Sequence, residues 1–366
     1  MGKRELLIVV GFLVAGAVVY QFTAPPPAEG RSFTLRRLID EIRSDIRRDS
    51  TNATVTVTGT LDVSRAVEEV RLSGINGRVE VHGEDRDDVA YEVRVHSTGP
   101  DATLAESYAR RSVLIEDDLG KSIWLRMDYP PEGQQRSEIT LRLPRRMALR
   151  LEGGNAISIN ALRALRLEAV TGEAVIDDVA ELGGTHRNGR LTVTGAGSVS
   201  LTLTSSRATF TGVSGPIALR ASRGETHISD STGAVEIEQT SNELRLVGHD
   251  GTITISGTGG EVYVEQPQRE VRVDVRNTEV SVTLDRAVPV TVLTTNQPIV
   301  LRLAGPPPIV LDARITDRGT ITADDFQLMP TVDGNQSSIE HAFDGARATR
   351  VLLRNRRDDI VIRLGK

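Results

Sequence analysis

Between residues 151 and 282, apolar and polar positions alternate within short runs, and the runs return at a fixed interval. A glycine or small polar residue opens each run, at Asn155, Gly172, Gly189, Ser206, Gly224, Asn242, Gly260 and Thr278. The spacings are 17, 17, 17, 18, 18, 18 and 18. Four residues after each opening stand Ile159, Ile176, Val193, Phe210, Ile228, Leu246, Val264 and Val282. Two after it the series ends in Leu244, Val262 and Val280. Five and seven residues before it lie further aliphatic columns, such as Leu219, Ile237, Ile255, Val273 and Ile217, Val235, Ile253, Val271. The positions between them are polar, for example Thr192, Thr209, His227 and Arg245, or Thr202, Arg220, Glu238 and Ser256. Period-two alternation puts one set of columns inside and the other outside.

Each repeat carries a second glycine, at Gly197, Gly215, Gly233 and Gly251. One coil is therefore strand, turn, strand, turn. Coils of equal length stacked in register pair each strand with its equivalent in the next coil, with a rise of roughly 4.8 Å. The pattern predicts an all-β fold, a parallel β-solenoid (β-helix) with 17–18 residues per coil. Glycine and asparagine at both corners are expected to supply positive φ.

The regular coils span residues 151–305. Gln297 and Gly319 read as later turns, and the prolines at 306–308 as an insertion. Within 306–366, an irregular C-terminal region, the segment RVLLRNRRDDIVIRL restores the pattern and reads as the final coil or cap. Residues 51–150 are β-rich but irregular, with an Asn-Gly turn at Asn76, a charged loop and a short helix from Ala102 to Arg111. This entry segment is expected to cover the first coil, because a bare solenoid end exposes unpaired backbone groups.

Ahead of the β region, residues 1–24 contain an apolar run from Leu6 to Phe22 after Lys3 and Arg4. At about 1.5 Å per residue the run is just long enough to cross a bilayer. It reads as a transmembrane signal anchor with the bulk of the chain outside, periplasmic or extracellular. The alternative is a cleaved signal peptide and a secreted protein. Pro25, Pro26 and Pro27 form a stiff spacer within 25–50. A short amphipathic helix follows, with Leu35, Leu38, Ile39, Ile42 and Ile46 on one stripe.

Composition narrows the chemistry. Aromatic residues make up 3%, so aliphatic side chains must form the core. The net charge is −6, which gives no electrostatic footprint for nucleic acid. The absence of cysteine excludes disulfides, thiolate metal sites and cysteine nucleophiles.

The entry VRLSGINGRVEVHGEDRDDVAYEVRV and the series NGRLTV, RGETHI and SNELRL resemble the bacterial β-strand-repeat family known as putative adhesins. The resemblance covers roughly Val70 to Val282. It implies a surface or envelope β-solenoid, and it carries over no catalytic, cofactor-binding or metal-ligating residue.

The residues themselves point the same way. His186 reads as a strand-end packing residue, His227 as outward and solvated, and His249 as a corner residue beside Asp250. The pairs Asp177-Asp178, Asp324-Asp325 and Asp358-Asp359 read as turn residues, since adjacent acids on a strand face opposite ways. The best enzymatic set is Arg220, Glu236, Glu238 and Arg272 on neighbouring coils, with solvated cross-strand pairing as the simpler reading. Asn52 and Asn335 match the glycosylation sequon by chance. The sequence thus predicts no enzyme, no cofactor and no metal. It predicts a membrane-anchored, extracytoplasmic structural or adhesin-like surface, with an envelope protein or polysaccharide as partner. A polysaccharide-active β-helix enzyme and a self-assembling scaffold are the alternatives.

Overall fold

The computed structural model describes residues 51–305, 307–343 and 349–365. The expected transmembrane and amphipathic helices lie outside these residues. Among the described residues no helix is long and apolar enough to cross a membrane.

Short strands of branched aliphatic residues stack in parallel, and their register reproduces the sequence interval. Val199 pairs with Leu182, Ile217 with Val199, Val235 with Ile217, and Ile253 with Val235. On the second face Thr226 pairs with Ala208, Leu244 with Thr226, Val262 with Leu244, and Val280 with Val262. Leu244, Val262 and Val280 are 0% exposed, so the predicted inward columns fill the space between the two faces. Each such side chain contributes about 1.5–3 kcal/mol by leaving water. The backbone pairs almost continuously around four corners from Ala156 to Thr194, so several rungs run together as one long strand.

The corners differ from expectation in an informative way. The left-handed residue at one corner is Asn188, Ser205, Arg223, Ser241 or Asn277, one position before the predicted turn residue. Gly189 and Gly224 have ordinary backbone angles. Glycine is needed there because a Cβ would strike the carbonyl oxygen of Gly172 or Ser206 in the coil below. Gly197, Gly215 and Gly251 at the opposite corner face the same obstruction, from Ala180, Gly197 and Gly233. Close stacking, rather than positive φ, selects these five glycines, whereas Gly172, Gly233 and Gly260 take positive φ as expected. Where the column holds Ser206, Asn242 or Thr278, the side chain is buried and hydrogen-bonded. Asn242 Nδ2, for instance, donates to the carbonyl of Glu243 at 2.9 Å.

The two ends are not built in chain order. Glu69–Ile75 and Gly77–Glu84 form a coil that pairs directly with Ala148–Gly153 and Ala156–Asn160. On its other side the same coil pairs with Ser122–Asp128 and Gln134–Pro144. The entry segment therefore supplies coils to the stack, and the first of them is internal. Antiparallel strands close this end. Val113–Asp118 pairs with Ser122–Asp128, Asp88–Gly99 with Gln134–Pro144, and Thr51–Asp62 with Asp88–Gly99. The helix Ala102–Arg111, capped by Asp101, buries Ala105 and Ala109 at this end. The Tyr91 hydroxyl donates to the Glu116 carboxylate at 2.6 Å, joining the strands of the two faces. Burial, then this carboxylate, pushes Tyr91 up to about 12.

The C-terminal end repeats the device. Arg350–Asn355 lies between Val290–Thr294 and Val310–Thr316. Ile360–Leu364 likewise lies between Ile299–Leu303 and Ile321–Thr322. The last segment in sequence is thus the penultimate coil in space. The outermost coil is 310–322, closed by the antiparallel strands Gln336–Ala342 and Thr331–Asp333. Apolar pattern alone cannot order these coils, because each has the same inward columns.

Candidate binding surface

The outward columns form two faces of stacked polar side chains held by the pairing described above. Arg220, the first of the four residues weighed for catalysis, reaches Glu238 at 3.2 Å, with both side chains mostly exposed. Glu236 lies between Ala218 and Thr254 in register, and Arg272 between Thr254 and Thr291. The set is a solvated cross-strand pair with two flanking charges, and such pairs contribute about 0–1 kcal/mol. On the other face Glu225, Glu243, Glu261 and Glu279 stand in register on consecutive coils. Like charges opposite one another are unfavourable. Arg207 offsets this at Glu225 (2.6 Å), and the Tyr263 hydroxyl donates to Glu261 at 2.5 Å. That hydrogen bond, with burial and the carboxylates around it, pushes Tyr263 up to about 12. Among the described residues no cluster of His, Asp and Glu is arranged to hold a metal ion.

The acid pairs sit at corners and chain ends. Asp178 takes a left-handed angle. Asp325 accepts from the Leu364 N–H at 2.9 Å, and Asp359 from the Thr320 N–H at 2.7 Å. His227 faces outward and is half-buried. His82 stands 3.1 Å from Glu80, and His341 packs edge-on against Phe343 at 4.7 Å.

His186 and His249 are fully buried in the two inward corner columns, where Leu203 and Val213 stand in other coils. His186 Nδ1 lies 3.0 Å from Ser206 Oγ, and His249 Nε2 lies 2.9 Å from the Gly233 carbonyl. The second nitrogen of each ring has no partner. Burial holds both imidazoles below the ordinary histidine range. The sign follows from linkage. The unfolded chain takes up protons near the ordinary value of about 6.5, and the fold resists until lower pH. Their contribution is therefore intact above that value and is lost as pH falls below it, towards the depressed native values. The double variant His186→Leu, His249→Val is expected to flatten the fall in urea midpoint between neutral and mildly acidic pH. An unchanged slope would show that other groups set the acid sensitivity.

The concave region lies where the N-terminal coils meet the regular ones. A cleft of about 460 Å³ is lined by Gly77, Arg78, His96, Arg136, Glu138 and Asn155, with Ser137 at its floor. A second, of about 390 Å³, adjoins it at Arg136 and includes Asn76, Tyr129 and Gln134. The floor is fixed by hydrogen bonds. Tyr129 Oη lies 2.6 Å from the buried Ser137 Oγ, and Asn76 Nδ2 donates to the Gln135 carbonyl at 2.7 Å. His96 is held by Thr54 at 3.0 Å and stands 3.6 Å from Glu138. Arg78 and Arg136 are exposed, and among the described residues neither guanidinium has a carboxylate partner. Two guanidinium groups and the Glu138 carboxylate thus line the first cleft, and Arg136 is shared with the second, where Tyr129 and the amides of Asn76 and Gln134 stand. Sequence reading missed this cleft, because it joins residues from 76–78, 129–138 and 155 that only the interleaved coil order brings together.

The chain matches the family described as Toastrack DUF4097 over residues 67–301. Curated proteins give no match. Among solved structures, a protein from Parabacteroides merdae described as a putative adhesin is similar at 12% identity and a TM-score of 0.33, covering 67% of this chain and 95% of that one. A putative adhesin from Parabacteroides distasonis is similar at 12% identity and a TM-score of 0.30, covering 85% and 97%. A putative cell adhesion protein from Clostridium sporogenes is similar at 9% identity and a TM-score of 0.19, covering 86% and 100%.

Proposed function

This chain belongs to the Toastrack DUF4097 family, and on that premise we propose that it is a membrane-anchored, extracytoplasmic binding module of the cell envelope rather than an enzyme. The apolar run Leu6 to Phe22 is its anchor, and the solenoid is a rigid platform outside the membrane. The observation that carries the binding reading is the arginine-lined cleft around Arg78 and Arg136. Its walls are backbone-paired strands, so only side chains need ordering to receive a ligand. Its chemistry fits an acidic group on an envelope polysaccharide or protein, with the flat polar faces alongside as weaker contact area.

The test is binding of the full chain, in detergent, to an array of acidic and neutral polysaccharides, with Arg78→Ala and Arg136→Ala compared with the parent. Retention on acidic polymers, weakened about tenfold or more in each variant, is the expected result; this corresponds to loss of one charge-assisted hydrogen bond of about 1.5–3 kcal/mol. Equal binding by the parent and both variants would remove the cleft from the proposal. Turnover of any polysaccharide would overturn the non-enzymatic reading.

A further inference from the structure

Among the described residues the stack has four outer edge strands, and three are unsuited to pairing with another chain. Thr331–Asp333 and Ile321–Thr322 are very short, and Val113–Asp118 ends in Glu116, Asp117 and Asp118. Short or charged edges are how soluble proteins block edge-to-edge association. The fourth, Thr51–Asp62, is unlike them. It is 12 residues long, carries no charge before Asp62, and contains neither lysine nor proline. Among the described residues its one strand neighbour is Asp88–Gly99, which leaves its other edge with a row of unpaired N–H and C=O groups.

Its side chains alternate strictly. Thr54, Thr56, Thr58 and Thr60 share one exposed side. Ala53, Val55, Gly59 and Leu61 are half-buried on the other, and Val57 among them remains 44% exposed. The strand is rigid despite lying at the edge. Twelve residue pairs tie it to Asp88–Gly99, and the Tyr91 ring fills the space above Gly59.

We propose that Thr51–Leu61 pairs antiparallel with the same strand of a second copy, giving a twofold dimer with one sheet running through both molecules. A twofold pairing needs a self-complementary edge. This strand sets threonine against threonine, a favourable cross-strand pair, and brings no charge against itself. It also extends cover over Val57. A foreign strand is the less suited occupant, because a row of threonines offers no pocket or charge to select one sequence.

The chain has no cysteine, so single substitutions report the pairing without background. Thr54→Cys, Thr56→Cys and Thr58→Cys are made one at a time in the full chain and oxidised in membranes and in detergent. A disulfide-linked dimer is expected for the position nearest the twofold axis, with sharply lower yield two residues away. Light scattering should give a dimer for the parent and a monomer for Val57→Lys, with Thr56→Lys as a second variant in case the first disturbs folding. A monomeric parent would overturn the proposal. So would a dimer that both lysine variants keep and no cysteine captures, which would place self-association outside this edge.

Discussion

A chain ending at Phe343 is expected to lose its outermost coil as an ordered unit, although that coil would still be present in the sequence. The missing segment contains Arg350–Asn355 and Ile360–Leu364, which separate coil 290–303 from coil 310–322. Val351, Leu353, Ile360 and Ile362 are all essentially unexposed. At about 1.5–3 kcal/mol each, their burial amounts to roughly 6–12 kcal/mol, comparable to the whole stability of an ordinary domain. Residues 310–342 would face empty space where they now pair, and Val290–Thr294 would become a bare edge. Because coils interact chiefly with nearest neighbours, the damage should stay local. Amide exchange is expected to become fast across 310–342 and to stay slow across 198–265. Slow exchange throughout 310–342 would mean that the outer coil docks directly onto 290–303, and that the intercalated order is dispensable.

Phe210→Ala is expected to cost about 3–5 kcal/mol, the usual range for an aromatic side chain deleted from a tight core. Phe210 is 0% exposed and lies in register between Val193 and Ile228. Both neighbours are anchored by their own strand pairing, so the cavity cannot collapse from either side. Phe210→Leu should lose much less, because the rest of the column is aliphatic and the coil spacing already suits such side chains. Urea unfolding of the two variants beside the parent makes the comparison. A cost below about 1 kcal/mol for the alanine variant would show that the inter-face space is loosely filled at this coil.

Much of the fold was legible because a solenoid writes its geometry as a repeat. Leu244, Val262 and Val280 fell in one column by counting alone, and the strands stack with that same offset. The helix from Ala102 to Arg111 was also legible, and the structure adds its Asp101 cap. The burial of His186 followed from its place in an inward column. The corners were less legible. Gly189 and Gly224 looked like residues chosen for φ, but the carbonyl that excludes a Cβ belongs to a residue 17 or 18 positions away. The cleft at Arg78 and Arg136 was not legible at all, since 58 residues separate them in the chain.

The sequence by itself determined the repeat unit, the two-faced parallel stack and the identity of the inward columns, because side-chain direction in a strand alternates whatever the strand pairs with. Tertiary structure alone decided the order of coils at each end, the closing antiparallel strands and the cleft where the N-terminal coils interleave. Coils with matching apolar columns are interchangeable as far as pattern goes. Which one docks beside which is settled by connection lengths and by the unpaired edges that must be closed, and those are properties of the whole chain in space.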